Sequence, residues 1–506
     1  MRRLTQTAAA IAALLLAPAA ASADARNNVL VIGQSSEPFT LDPATGVSGF
    51  DYPDLYPLFD RLVAFDPDLT LRPGLATTWE FTGADKLTLE LTLRRGVTFQ
   101  DGTPFDADAV KISLQHFKDA NRVHDLDAVT SIDVLAPDRV ALHLNKPYSV
   151  LPAVLADRAG MIVSPTALQK DPKGFERHPV GTGPFMMKAW NAGISLDYVA
   201  YPGYWDKARI NLAGIQFKVI LNPTSLVSAL LTGQVDHAWG IDPKNLAVLR
   251  ADPKLRVAVE KSTQFYELAL NKSLPPVDNV KVREAMNMSL DRKALGDAIL
   301  GPGNSGGPAL MLAPPGSFAH TDALDGSVPY DPARAKQLLA EAGFPNGVTV
   351  SVCATPLVGY GTDITDIERE QMKPAGIELK VTVEQGSACL QAFNLRKQFP
   401  AWQGAFSGRP DPWLTYDQNF GSEGQYILSH TAPPGVDDLL NKILATYDRK
   451  DQVPLYAQLN KLYIDDAPFI LLFYRPNFAV YGTQVGGEQP NAQGKPDVTT
   501  MYFVKP

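Results

Sequence analysis

The stretch Arg72–Lys118 constrains this chain more than any other, because it compresses a turn, a strand, a second turn and a helix into fewer than fifty residues. Leu87, Leu89, Leu91 and Leu93 alternate with Thr88, Glu90 and Thr92, the period of a strand with one buried face. Asp101-Gly102-Thr103-Pro104 then turns the chain. Val110, Ser113, Leu114 and Phe117 follow at i, i+3, i+4 and i+7, which predicts a helix opening near Asp106 or Asp108, either of whose carboxylates can cap it. The block contains no catalytic residue set.

At 506 residues the chain exceeds what one core organises, and two or three domains are expected. Its only long apolar run is at the start. Arg2 and Arg3, the run Ala8–Leu16 and the small-x-small Ala21-Ser22-Ala23 form an export signal. The run is too short for a transmembrane helix. Residues 1–23 are therefore expected to be removed, with a cut after Ala25 nearly as good. No cysteine lies near either cut, so the expectation is a periplasmic protein without a lipid anchor. Loss of Arg2 and Arg3 takes the formal charge from −8 to −10, which disfavours nucleic acid and anionic membrane as partners.

Along the mature chain, Val29–Ile32 reads as a short buried strand and Gln34–Pro43 as the loop leaving it. An apolar helix is expected over Tyr52–Val63 and a hairpin over Ser131–Leu144, turning at Pro137-Asp138. Gly181-Thr182-Gly183-Pro184 forces a tight turn before a strand. It lacks the lysine and following helix of a phosphate-binding loop. Ile215–Ile220 is a strand, Ser225–Leu231 a helix, Phe265–Asn271 a strand and Val282–Leu290 a helix. Asp291 caps the next helix, which Gly301 ends. Asp331-Pro332 opens another. A strand at Val348–Cys353, a helix near Asp363–Lys373 and a strand at Ile377–Val383 make a βαβ unit with a parallel pair. Val498–Val504 alternates as a last strand.

The order PGLA-x-x-W, LTLRRGV-x-F-x-DG-x-PF-x-A-x-x-V, followed by PVGTGPF, YPGYWD and Gly233-x-Val235-Asp236, resembles the family 5 solute-binding proteins, the peptide, nickel and opine class that serves ABC importers. The resemblance implies an α/β fold of the periplasmic-binding-protein type, two lobes like a flytrap with an additional third domain. The implied division is residues 24–49, 166–263 and 476–506 in one lobe, 50–165 in the small α/β domain and 264–475 in the other lobe. Crossings near 263 and 475 would form a hinge. The family's Leu-Asp-Pro loop approaches the ligand in several members, which implicates Glu37 and Phe39 by position; a plain surface turn fixed by Pro38 and Pro43 has equal weight. Trp239 is either a stacking surface for ligand or core, and Tyr266 and Phe406 complete the implied aromatic set.

The same chain carries one motif that points to an enzyme. Gly303-Asn304-Ser305-Gly306-Gly307 satisfies G-x-S-x-G, and a secreted hydrolase using Ser305 is the rival reading, with a periplasmic chaperone or sensor accessory as a third. A helix precedes that serine and a proline-rich loop follows, which is not the strained strand-to-helix turn that such a nucleophile needs. The seven histidines show no HExxH or His-x-His pattern and the cysteines no CxxC. No catalytic set, cofactor or protein-bound metal is expected, although nickel held by a small chelator stays open. Cys353 and Cys389 are either bridged, as an oxidising compartment allows, or two buried thiols.

The most informative stretch is Ala401–Phe420, AWQGAFSGRPDPWLTYDQNF. Glycine and proline at 408, 410 and 412 predict a loop after a strand, carrying Trp402, Arg409, Asp411, Trp413 and Tyr416. In peptide-binding relatives this loop presents an aspartate to the ligand's α-amino group, and here Arg409 stands in that place. A guanidinium inverts the preferred charge and offers a planar donor fork to a carboxylate. The expected ligand is a small peptide-like or opine-like solute with an anionic group on Arg409, delivered by a monomeric receptor to a membrane permease. The competing expectation pairs Arg409 internally with Asp411 or Glu423.

Overall fold

The computed structural model describes residues 27–356, 360–384, 388–489 and 491–504; the expected export signal lies outside them. Three larger sheets carry the architecture. Val29–Gln34 sits inside a seven-stranded sheet, parallel to Gly214–Val219 on one side and to His237–Trp239 on the other. Parallel neighbours on both edges explain its nearly unbroken apolar run. Ser195–Ala200 and Phe185–Asn191 extend the sheet one way, Asn477–Gly482 and Leu255–Glu260 the other.

The stretch Arg72–Lys118, with the hairpin that follows it, forms a four-stranded antiparallel sheet and a helix. Thr88–Leu93 pairs with Ala76–Thr82 and Arg139–Leu144, and Val129–Ala136 completes the hairpin. Leu89, Leu91 and Leu93 are buried together with Val110, Leu114 and Phe117 of the helix Ala107–Ala120. Of the two candidate caps, Asp106 is used: its Oδ1 accepts from the Ala109 amide at 3.0 Å.

The third sheet orders Ile377–Val383, Val348–Ala354, Ala401–Phe406, Phe265–Leu270 and Phe469–Tyr474. The first two strands are parallel, joined by the helix Gly361–Met372. Cys353, at the end of its strand, is bonded to Cys389 on the short helix Ala388–Asn394, with 5.8 Å between their Cα atoms.

Two connections run between the seven- and five-stranded sheets, residues 261–264 and 475–476. They lie side by side: Ser262 Oγ donates to the Arg475 carbonyl at 2.6 Å, and the Arg475 amide to the Gln264 carbonyl at 2.8 Å.

Three expectations fail locally. The helix expected over Tyr52–Val63 covers only Tyr52–Leu55, because Pro57 has no amide to continue it; Val63–Phe65 is instead a strand paired with Leu71–Pro73. The region after Phe406 is not all loop, since Pro412–Phe420 is helical. Proline is harmless at the first helical position, where its amide would be unpaired anyway. The terminal strand shrinks to Tyr502–Phe503, because Asp497 captures the Thr499 amide and hydroxyl and folds the segment into a turn. Among the described residues no helix is long and apolar enough to cross a membrane.

One core group makes a thermodynamic statement. Glu368, on the helix Gly361–Met372, is fully buried with no partner for either carboxylate oxygen, and burial pushes its pKa up to about 8. The folded state then holds a proton that the unfolded chain releases near pH 4.5, so stability falls as pH rises from there toward 8. Glu368→Gln is expected to remove on the order of a few kcal/mol of that decline. Urea melts at pH 5 and pH 8 check it, and equal losses in variant and wild type would refute it.

Candidate functional site

Between the four- and five-stranded sheets lies a cavity of about 1240 Å³, large enough for a solute of several residues. One wall is the loop 122–128 that leaves the helix Ala107–Ala120, with Asn145 to Tyr148 beside it. The other comes from the five-stranded sheet and the elements after it: Glu267, Trp402, the segment 405–409, Trp413 and the region 417–426. Tyr52 and Lys495 close one end. A further cavity of about 80 Å³ beside Asp60, Arg61 and Trp205 is too small for a solute.

Arg409 is held by local chemistry on both sides. Gly408 is pressed against Thr263, where a Cβ would stand 1.9 Å from the hydroxyl, so the loop passes the crossing strand only with glycine there. Asp411 caps the helix that follows, accepting from the Trp413 amide at 2.9 Å. Between these two fixed points the guanidinium reaches across the cavity wall. Its Nη2 donates to both oxygens of Asp125, at 2.7 and 2.6 Å. The partner is therefore neither Asp411 nor Glu423. Burial works against the Arg409 charge, but Asp125 and then Asp157 outweigh it and hold the pKa above the ordinary arginine value. Its Nε has no partner.

Two more ion pairs adjoin this one. Lys495 Nζ stands 3.8 Å from Asp157 and 3.8 Å from the centre of the Tyr52 ring. Arg158 lies 3.5 Å from Asp51, with its guanidinium 4.5 Å from the same ring. Burial pushes Lys495 down to about 8 against the pull of Asp157. Burial would raise Asp157, but Lys495 and Arg409 prevail and hold it below the usual carboxylate range. For two other cavity acids burial prevails. Burial raises Glu267 to about 8, and it raises Asp417 to about 6 against the opposing charge of Lys146.

Of the residues singled out by sequence, Arg409, Trp402, Phe406 and Trp413 line this cavity. Asp411 is buried in its capping role. Tyr266 faces the opposite side of its strand, packed on Phe473 with ring centres 5.2 Å apart. Trp239 packs against Phe217 and His237. Glu37 accepts from Trp190 Nε1 and from the Gly193 amide, and Phe39 is 84% exposed. None of these last five lines the cavity.

Asp125, Tyr52, Lys495 and Glu267 escaped the sequence reading. For Glu267 a signal existed, since it is the single acid in the otherwise apolar strand Phe265–Leu270. For Asp125 and Lys495 there was none, because each acquires meaning only from a partner far away in sequence. Ser305 is not in the cavity wall; its side chain packs toward Gly296. The structure also gathers His320, Asp322 and Asp325, with ligand-type atoms within 4.8 Å of one another, a grouping that matches no sequence motif for a metal. That cluster stands outside the cavity.

Comparison with known proteins bears on this geometry directly. The family described as "Bacterial extracellular solute-binding proteins, family 5 Middle" matches residues 70–426. The glutathione-binding protein GsiB of Salmonella choleraesuis is 28% identical over 459 residues, 88% of each chain. Two solved structures share the fold. One is AgaA of A. tumefaciens R10, in complex with agropinic acid, at TM-score 0.82 and 23% identity over 94% of this chain and 99% of that one. The other is the dipeptide-binding protein of Pseudoalteromonas sp. SM9913, in complex with Met-Leu, at TM-score 0.81 and 22% identity over 94% and 100%. With a two-lobed α/β fold and a solute-sized cavity between its four- and five-stranded sheets, the chain belongs to family 5 of the bacterial extracellular solute-binding proteins.

Proposed function

We propose that this chain is a periplasmic, monomeric receptor that captures a peptide-like or opine-like solute bearing a carboxylate and passes it unaltered to its permease. Residues 1–23 act as its cleaved export signal, with no lipid anchor. The lobes are residues 24–49 with 166–263 and 476–506, and residues 264–475; 50–165 form the third domain. They close about the paired connections at 261–264 and 475–476, the narrow places where a small backbone change swings one lobe against the other.

The observation that carries this reading is the Arg409–Asp125 pair in the cavity wall. Asp125 belongs to the small domain and Arg409 to the large lobe, so the pair forms only when the two bodies meet. Both of its hydrogen bonds use Nη2, so Asp125 does not exhaust the donors of the guanidinium; the unpartnered Nε is itself enclosed by protein and out of a solute's reach. A ligand carboxylate completes them. The named ligands of the relatives, glutathione, agropinic acid and Met-Leu, all carry such a group.

Native mass spectrometry of protein purified without refolding is expected to show a carried-over small molecule. Glutathione, Met-Leu and agropinic acid are the first additives for a thermal-shift screen, in which a ligand at a hundred times its Kd stabilises by about 2.7 kcal/mol. A preparation that chemically converts the additive overturns the receptor reading.

Arg409→Ala is expected to lower affinity for a carboxylate-bearing additive found in that screen by roughly ten- to a hundred-fold, the worth of a charged hydrogen bond. It also strands Asp125, at a cost to stability of about 3–5 kcal/mol. Arg409→Gln combined with Asp125→Asn restores much of the stability and leaves the affinity low. Calorimetric affinity unchanged in Arg409→Ala would mean that Arg409 only ties the domain to the lobe.

A further inference from the structure

Glu267 is the one acid in the cavity wall that is both deeply buried and without an opposite charge. It is 4% exposed, and its Oε2 has no partner. Strand geometry aims it. Residues 265, 267 and 269 share one face with 402, 404 and 406 on the antiparallel neighbour, where Glu267 stands opposite Gly404. A Cβ on Gly404 would lie 2.8 Å from the six-membered ring of Trp402. The missing side chain thus lets the indole lie across the strand beside Glu267. Phe406 stands on the same face, and Tyr426 meets it edge-on with ring centres 5.9 Å apart. Glu267, Trp402, Phe406 and Tyr426 all line the cavity.

A carboxyl set among aromatic rings is the arrangement that attracts a cationic nitrogen: the carboxylate supplies the counter-charge, and the ring faces supply an electrostatic surface that tolerates desolvation. We propose that Glu267, boxed by Trp402, Phe406 and Tyr426, is a subsite for a cationic nitrogen of the bound solute, separate from the carboxylate anchor at Arg409. The inference rests on the receptor reading above and adds to it that the solute is zwitterionic, its amine seated on the five-stranded sheet. Because Glu267 is held protonated by its burial, seating an ammonium ion there expels the carboxyl proton to solvent, and binding tightens as pH rises from 6 to 8. The titratable groups facing Glu267 are the phenols of Tyr426 and Tyr463. Arg409, Asp417 and Lys495 share the cavity. Asp417 and Lys495 titrate in the same range, so the pH effect is assigned by comparison with a Glu267 variant.

The test uses glutathione and Ala-Ala-Ala, each beside its N-acetylated form, titrated by calorimetry into wild type, Glu267→Gln and Arg409→Ala. For wild type, N-acetylation is expected to weaken binding tenfold or more, and titrations in phosphate and Tris at pH 7 are expected to differ by the heat of nearly one released proton. Glu267→Gln loses that discrimination and that proton, whereas Arg409→Ala weakens both forms and keeps the discrimination. The amide is isosteric and needs no charge burial, so the melting temperature of Glu267→Gln at pH 8 stays at or above the wild-type value. If Glu267→Gln still prefers the free amine and still releases the proton, the subsite is overturned while the receptor reading stands. If neither peptide nor its acetylated form binds wild type, the peptide-like reading itself falls and takes the subsite with it.

Discussion

Charge brought out of water must find a partner, and this constraint governs where the segments around the cavity meet. Arg409 with Asp125, Lys495 with Asp157 and Arg158 with Asp51 gather around Tyr52. Each pair joins segments distant in sequence, and Lys495 ties the C-terminal stretch to Asp157. Separated, these six groups would each be hydrated; together they are buried and nearly neutral in sum. Such burial adds little net stability, but breaking one partner of a pair leaves bare charge behind and is costly.

The same constraint explains the cavity. Both sides supply aromatic and charged groups, Trp402, Phe406, Glu267 and Arg409 from one and Tyr52, Tyr148, Asp125 and Lys146 from the other, and neither alone encloses a solute. Trp413 illustrates the coupling. Its indole nitrogen donates to the Leu440 carbonyl at 3.0 Å, and its ring meets Tyr148 of the small domain edge-on at 5.8 Å. The adjacent backbone of Ser149 bonds to Leu444 at 3.1 Å. The cavity is therefore built where the two sheets' surroundings meet, and the contacts that hold them together are also the ones that shape it.

Glu267 and Glu368 show that burial alone does not define a role. Both are acids raised to about 8 by desolvation. One opens on the cavity and the other is enclosed in the lobe's core, so the first has a solute to meet and the second has only a proton.

The sequence by itself determined the elements and their order. Period-two leucines built the strand at Thr88–Leu93, aspartates capped the helices they preceded, and the parallel unit from Val348 to Val383 followed from spacing alone, because these features depend on neighbours within a few residues. It also drew attention to the stretch 401–420, through its density of tryptophan, arginine and proline. Only the tertiary structure decided what Arg409 faces, which of Tyr266 and Glu267 looks into the cavity, and that Glu37, Phe39 and Trp239 stand elsewhere. Those outcomes depend on strand pairing and on partners such as Asp125, 284 residues from Arg409, and no local pattern carries the position of a group that reaches its neighbour only after the whole chain has folded.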